Sequence, residues 1–333
     1  MDLEPTRLFY SRDITTVVIL PDLKIGKIAL FVWRINGLEL FMNIEINCLS
    51  KTYFAGNRKA LDQINMTIGT GILGLIGRNG AGKTTLMRIL ATVLEPSEGR
   101  ILFDGKDLNA HKSEFRSSLG YLPQNTKLMP QLNIVEFLDY VSLMKGITQK
   151  EERCQKIQDI IEIVGLVGEE KKKLRKYSGG MLRRAGIAQA LIGDPKVLII
   201  DEPTTGLDPE ERLYFLNLLS RIASERTIIF STHITADIEH LCKNICVLEQ
   251  GKLKYVGNKH DFIQAIDGRL WEHVGAEEML NEIRKSGVVT SITHVEGCCH
   301  VSYVSSNQMT ESSKRKAPSL EDAYIYSLGG VKR

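Results

Sequence analysis

Residues 77–85 read GRNGAGKTT and follow the apolar run GILGLI at 71–76. The pattern G-x-x-x-x-G-K-[ST], set between a strand and a helix, is a phosphate loop, and this stretch has the required flanks. Glycines at 77, 80 and 82 let the backbone curl until successive N–H groups converge on phosphate oxygens, where a side chain would obstruct the approach. The segment Gly77, Arg78, Asn79, Gly80, Ala81, Gly82, Lys83, Thr84 and Thr85 therefore reads as a nucleotide cradle. Lys83 is placed to reach the β- and γ-phosphates, and the Thr84 hydroxyl to ligate Mg²⁺.

Two more continuous apolar runs, KVLIID (196–201) and TIIFSTH (227–233), resemble the run before the loop. Strands buried on both faces look like this, so the fold class is α/β, with a mostly parallel sheet covered by helices. Ligands in such sheets gather at the carboxyl ends of the strands. KVLIID ends in Asp201, a candidate Mg²⁺ holder, and the next residue, Glu202, is placed to orient or deprotonate an attacking water. Upstream, MNIEINCLSKTYF from Met42 alternates like a first strand. In IVEFLDYVSLMKGI, Ile134, Phe137, Leu138, Val141 and Met144 recur at helical intervals, as core packing would require.

The expected organisation has three parts. Residues 42–260 form the nucleotide-binding domain. Residues 261–333 form a small α+β accessory domain with the helix-like AEEMLNEIRKSG, the strand-like CCHVSYV, a mobile polar linker SSNQMTESSKRKAPS and a short terminal helix LEDAYIYSL. Residues 1–41 hold two apolar bursts, TTVVIL and IALFVW, with no periodicity linking them to the rest. They read as sequence ahead of a misplaced start, Met42 being the natural beginning, or else as an extra hairpin.

Composition excludes several classes. Lys and Arg number 43 against 40 Asp and Glu, so no global field points to nucleic acid as a partner. Cys48, Cys154, Cys242, Cys246, Cys298 and Cys299 have no repeated spacing, which suggests reduced thiols in a cytosolic protein. His240, Cys242 and Cys246 lack the paired CxxC spacing of a zinc site and read as small buried hydrophobes. No apolar run approaches the roughly 20 residues of a spanning helix. The sequence NKHD at 258–261 matches a guanine-reading motif but lies far past the catalytic strands.

A second phosphate cradle is present. YSGGM at 177–181 opens a helical pattern, and free N–H groups at a helix start attract anions. Taken in order, GRNGAGKTT, YLPQ, YSGGM, LIIDEPTTGLD and STH resemble the ATP-binding subunits of ABC transporters, and the similarity covers about Met42 to His260. The resemblance implies a P-loop NTPase with a RecA-like sheet, an antiparallel β subdomain and an α-helical subdomain. It also implies that Gln124 senses Mg²⁺ or water, that Ser178, Gly179 and Gly180 form the signature loop, and that Asp208 lies at a dimer interface. His233 would be the switch histidine at the γ-phosphate, and Tyr53, with Phe54 as an alternative, would stack on adenine. Met181 stands where the family most often has Gln, and Tyr177 where Leu is common.

One chain cannot plausibly fold its second cradle onto its own nucleotide, so a twofold-related protomer would offer it, sandwiching two MgATP between subunits. The resemblance therefore implies an ATPase at the cytoplasmic face of a membrane, partnered by a second ATP-binding subunit and a separate transmembrane permease, driving export. A rival reading is an ABC-type ATPase acting on ribosomes or DNA, which would carry two ATPase domains or a long coiled-coil insertion. A nucleotide-binding module without turnover is opposed by Glu202 and His233.

Overall fold

A computed structural model describes residues 43–330 apart from 54–57, 127, 225, 276–278 and 296–297. Residues 1–41 and Phe54 thus lie outside the described residues. The chain runs through β1 (Ile44–Tyr53), β2 (Arg58–Ile68), β3 (Gly71–Ile76), α1 (Lys83–Leu90), β4 (Glu98–Phe103), β5 (Lys106–Asp107), α2 (Lys112–Ser117) and β6 (Leu119–Leu122). A helical stretch follows, with α3 (Ile134–Met144), α4 (Lys150–Ile163) and α5 (Gly179–Leu191). Strands and helices then alternate as β7 (Val197–Asp201), α6 (Pro209–Ile222), β8 (Thr227–Thr232), α7 (Thr235–Leu241), β9 (Asn244–Glu249), β10 (Lys252–Asn258) and α8 (Lys259–Gln264). The chain ends in β11 (Leu270–Gly275), α9 (Met279–Ser286), β12 (Val288–Val295), β13 (Cys298–Val304), β14 (Lys314–Arg315) and α10 (Leu320–Ser327).

The central sheet has the order β10-β9-β3-β8-β7-β6. All its pairs are parallel except β10 on β9. The three apolar runs form its middle, and the period of two along each strand explains why they are apolar throughout. On β7, Leu198 and Ile200 join the core on the helical side while Val197 and Ile199 join the core under the antiparallel sheet. On β8, Ile228 and Phe230 face the helices and Ile229 the other way. Gly74 on β3 lets α7 lie directly on the sheet, since a Cβ there would sit 2.5 Å from Ile238 Cδ1.

An antiparallel sheet, β2-β1-β4-β5, covers one face together with α1. The opposite face is covered by α3 to α8. In α3, Ile134, Phe137 and Leu138 are buried as expected and Val141 is half-buried, but Met144 is 71% exposed. Four residues C-terminal to Tyr140, it lies on the solvent face with Tyr140 and Leu143. The apolar spacing is genuine here, but the end of the stripe faces out.

Past residue 260 a third sheet, β12-β13-β11-β14, forms around its own core of Trp271, Ile283, Val289, Val301 and Tyr303. Phe262, Ile266, Leu270, Leu320 and Tyr324 join the helical-side core, so this end of the chain is packed against the nucleotide-binding part. The polar stretch before α10 is not a free spacer. Lys314–Arg315 pairs with β11, and buried Ser313 accepts a hydrogen bond from the Tyr303 hydroxyl at 2.8 Å. Serine and threonine hydroxyls close on one another there, which an exposed polar composition does not reveal. No helix among the described residues is long and apolar enough to cross a membrane.

Candidate functional site

Strands β3, β7 and β8 end side by side, and each end delivers a part of the site. After β3 the chain turns at Gly82, which only glycine can occupy: its φ is +107°, and a Cβ there would stand 2.5 Å from the Ala60 carbonyl oxygen. The α1 helix starts at Lys83 with its first N–H groups unpaired within the helix. An open cleft of about 690 Å³ results. Its walls include Tyr53, the loop from Arg78 to Thr85, Gln124, Glu202 and His233, all expected from sequence, together with Ala60 and Thr205. Gly77 contributes its carbonyl, which accepts a hydrogen bond from Lys83 Nζ at 2.6 Å.

Glu202 is the hub. One carboxylate oxygen, Oε1, pairs with Lys83 Nζ at 3.3 Å, both side chains being almost wholly buried. The other, Oε2, accepts from Gln124 Nε2 at 3.3 Å and from the Thr205 hydroxyl at 3.4 Å, and meets His233 Nδ1 at 3.3 Å. Its backbone has a φ of +44°, in the left-handed region that non-glycine residues avoid. The Ser231 hydroxyl and carbonyl, at 3.0 and 3.2 Å, both accept from its N–H and hold that geometry.

Asp201 sits one residue earlier at zero exposure. Its Oδ1 accepts from Ser231 Oγ at 2.7 Å. Its Oδ2 is buried with no hydrogen-bond partner among the described residues. Burial, the first cause, raises its pKa above 3.8, and the Glu202 charge adds to this, against hydrogen bonding from Ser231 and Thr84 and the Lys83 charge. On β6, burial and the Asp201 charge push the Tyr121 phenol up to about 12. An orphaned, desolvated carboxylate oxygen beside a phosphate loop has the chemistry of a divalent-cation ligand, so these residues fit Mg²⁺.

Tyr53 closes the β1 end of the cleft, 38% exposed, its hydroxyl 3.4 Å from Thr85 Oγ1. Ser178, Gly179, Gly180 and Asp208 are not among the cleft walls. Ser178 caps α5, accepting from the Met181 N–H at 3.2 Å, and with Gly179 it is exposed. Asp208 caps α6 through the Glu211 N–H at 2.9 Å and is also exposed.

Sequence reasoning passed over four residues. Thr205 had a signal, a hydroxyl three residues past Glu202 in a loop. So did Ser231, the polar residue inside an apolar strand. Arg183 had none: its guanidinium donates to the Gln124 carbonyl at 2.6 Å, joining α5 to the glutamine loop across 59 residues. Asp237, wholly buried on α7, had none either. The trio His240, Cys242 and Cys246 is divided, Cys242 facing the helical-side core and Cys246 the opposite one. Burial pushes both thiols up to about 12.

The model of the ABC transporter family matches residues 61–205. An uncharacterized ABC transporter ATP-binding protein of Synechocystis is 35% identical over 304 residues, covering 85% of this chain and 83% of that protein. The chain belongs to the ABC transporter ATP-binding proteins. A Nod factor export ATP-binding protein of Rhizobium etli is 36% identical over 239 residues, covering 71% of this chain and 74% of that protein. The solved structure of an ATP-binding subunit of an ABC transporter superposes with a TM-score of 0.60 at 27% identity, covering 67% of this chain and 92% of that one. This ABC protein is accordingly an α/β P-loop ATPase with ATP and Mg²⁺ as its cofactors. It is an ATP-binding subunit of the ABC transporter type.

Proposed function

We propose that the protein hydrolyses MgATP at the Glu202 cleft, with the exposed start of α5 from a second cassette completing each site, and so drives export from the cytoplasmic face of a membrane. The observation that carries this reading is the Glu202 carboxylate, fixed beside Lys83, Gln124, Thr205 and His233 at the lip of the phosphate loop. In this scheme the loop's N–H groups and Lys83 hold the β- and γ-phosphates, and Tyr53 stacks on adenine. Thr84 and Asp201, with Gln124, would hold Mg²⁺, which would supply charge neutralisation at the phosphates. Glu202 takes the proton of the attacking water, and His233 donates toward the γ-phosphate.

Ser178 and Gly179 support a shared site because they stand exposed at a helix N-terminus and outside the cleft of their own chain, with Gly180 buried behind them. A twofold pair brings each α5 start to the other's phosphate, with Asp208 at the seam. Hydrolysis then removes the ligand that holds the pair closed. Export, rather than uptake, is supported by the relative that serves Nod factor export. Tyr140, Leu143 and Met144, exposed along one face of α3, suit contact with the permease.

Glu202→Gln keeps shape and removes the base. Phosphate release should fall by at least about a hundredfold while ATP-driven dimers accumulate. Normal turnover in this variant would remove Glu202 from its role.

A further inference from the structure

One buried carboxylate lies behind the site without reaching it. Asp237 has zero exposure on α7 and is not among the cleft walls. Its Oδ2 accepts from the Thr204 hydroxyl at 2.7 Å and from the Thr232 hydroxyl at 3.2 Å. Its Oδ1 accepts from Arg212 Nε at 2.6 Å. Each donor belongs to a different arm of the site. Thr204 is two residues past Glu202 and next to Thr205, which touches the Glu202 carboxylate. Thr232 is the residue before His233, and its hydroxyl also accepts from the Ile234 N–H at 3.0 Å. Arg212 is on α6, one turn after its Asp208 cap.

We infer that Asp237 is a positioning residue for hydrolysis, a single carboxylate that locks the loops carrying Glu202, Asp208 and His233 into one frame. The inference rests on the reading that Glu202 and His233 carry out the chemistry. An anion is needed because the three donors converge from separate segments: a carboxylate accepts from all of them at once, and the Arg212 charge is compensated in place. A neutral amide of the same shape keeps its oxygen on Arg212 only by reversing both hydroxyl bonds, its NH₂ donating to Thr204 and Thr232, and it removes the charge that holds Arg212, so every tie weakens. The arms would then drift independently. A displacement of about 1 Å at a catalytic group costs on the order of a hundredfold in rate. Nucleotide grip should survive, because the phosphate loop and Lys83 do not touch the network.

The test is Asp237→Asn in the full chain, with phosphate release and titration of a fluorescent ATP analogue measured side by side. The inference requires kcat to fall by at least tenfold while the nucleotide Kd stays within twofold. It also requires that Asp237→Asn placed on His233→Ala add less than threefold to the loss, because both act on one geometry. Unchanged kcat, a parallel loss of binding and rate, or full additivity with His233→Ala would each overturn it. If Asp237→Asn does not fold, Thr204→Val, which keeps the Arg212 pair, must show the same split between rate and binding. Glu202→Gln run in parallel separates the two failures: if it turns over normally, the site reading falls. If it is inactive while Asp237→Asn is normal, only this inference falls.

Discussion

Asp201 offers a test whose sign is unusual, because removing a site residue should stabilise the protein. The carboxylate has no exposure, and Oδ2 has no hydrogen-bond partner among the described residues. An unpaired buried polar group costs about 1–3 kcal/mol, and more when charged. Asp201→Asn keeps the shape and removes the charge, and since its NH₂ stays unpaired at the Oδ2 position, only the extra cost of the charge is recovered. It also weakens the charge-assisted bond from Ser231, returning about 1 kcal/mol. The balance favours the variant by about 1–2 kcal/mol, a rise of about 1–3 °C in Tm for a chain of this size. The sign with pH follows from the raised pKa. Above 3.8 the native state holds this proton more tightly than the unfolded chain, so stability falls as pH rises through the folded pKa. The gap between variant and wild type should therefore be smallest near pH 3.8 and full at neutrality. MgATP must reverse the order: a ligand at a hundred times its Kd adds about 2.7 kcal/mol, which only the wild type can gain in full. Thermal unfolding across pH, with and without MgATP, reads both halves. An Asn variant that melts below wild type without nucleotide, yet gains the full MgATP shift, would refute the argument.

Two further outcomes follow from where side chains sit. Tyr53→Ala should weaken ATP by the stacking contribution, about 1–3 kcal/mol, and leave inorganic triphosphate binding unchanged. Calorimetry with both ligands checks it, and an equal loss for both would remove Tyr53 from the base. Ser178→Arg should leave nucleotide binding by the single chain intact, because Ser178 lies outside the cleft, and abolish the ATP-driven dimer of Glu202→Gln. Sedimentation decides this, with Ser178→Gly as the control that loses the cap at a cost of only a few tenths of a kcal/mol.

The layers and the front of the site were legible because their signals are local. Strands buried on both faces have no polar face, so β3, β7 and β8 show up as continuous apolar runs. The phosphate loop must have glycines at set positions, so it is legible too. Signals fail where partners come from far along the chain. Nothing near Asp237 marks it as the meeting point of Thr204, Thr232 and Arg212, because a lone aspartate in a helix looks like any surface carboxylate. The pairing of Lys314–Arg315 with β11 is hidden in the same way: its ladder partner is more than forty residues away, and its own composition is that of a loop. Met144 fails for the opposite reason. Its spacing is that of a buried stripe, and only the shape of the neighbouring layer leaves that end of α3 in solvent.

The site also shows where the fold carries energetic cost. Glu202 takes a left-handed backbone, which costs a residue with a Cβ about 1–2 kcal/mol, and Asp201 beside it gives up solvation. Glycine at 202 and asparagine at 201 would relieve both. Neither could serve the chemistry proposed above, since the one lacks a base and the other a full charge for the cation. The two costs fall on adjacent residues at the end of β7, every residue of which is buried. Its neighbour β8 is buried along its whole length too. Ser231 on β8 then anchors both acids, through the Asp201 carboxylate and the Glu202 N–H. Strain is held where the surrounding sheet can yield least, and this keeps Glu202 fixed at the lip of the cleft.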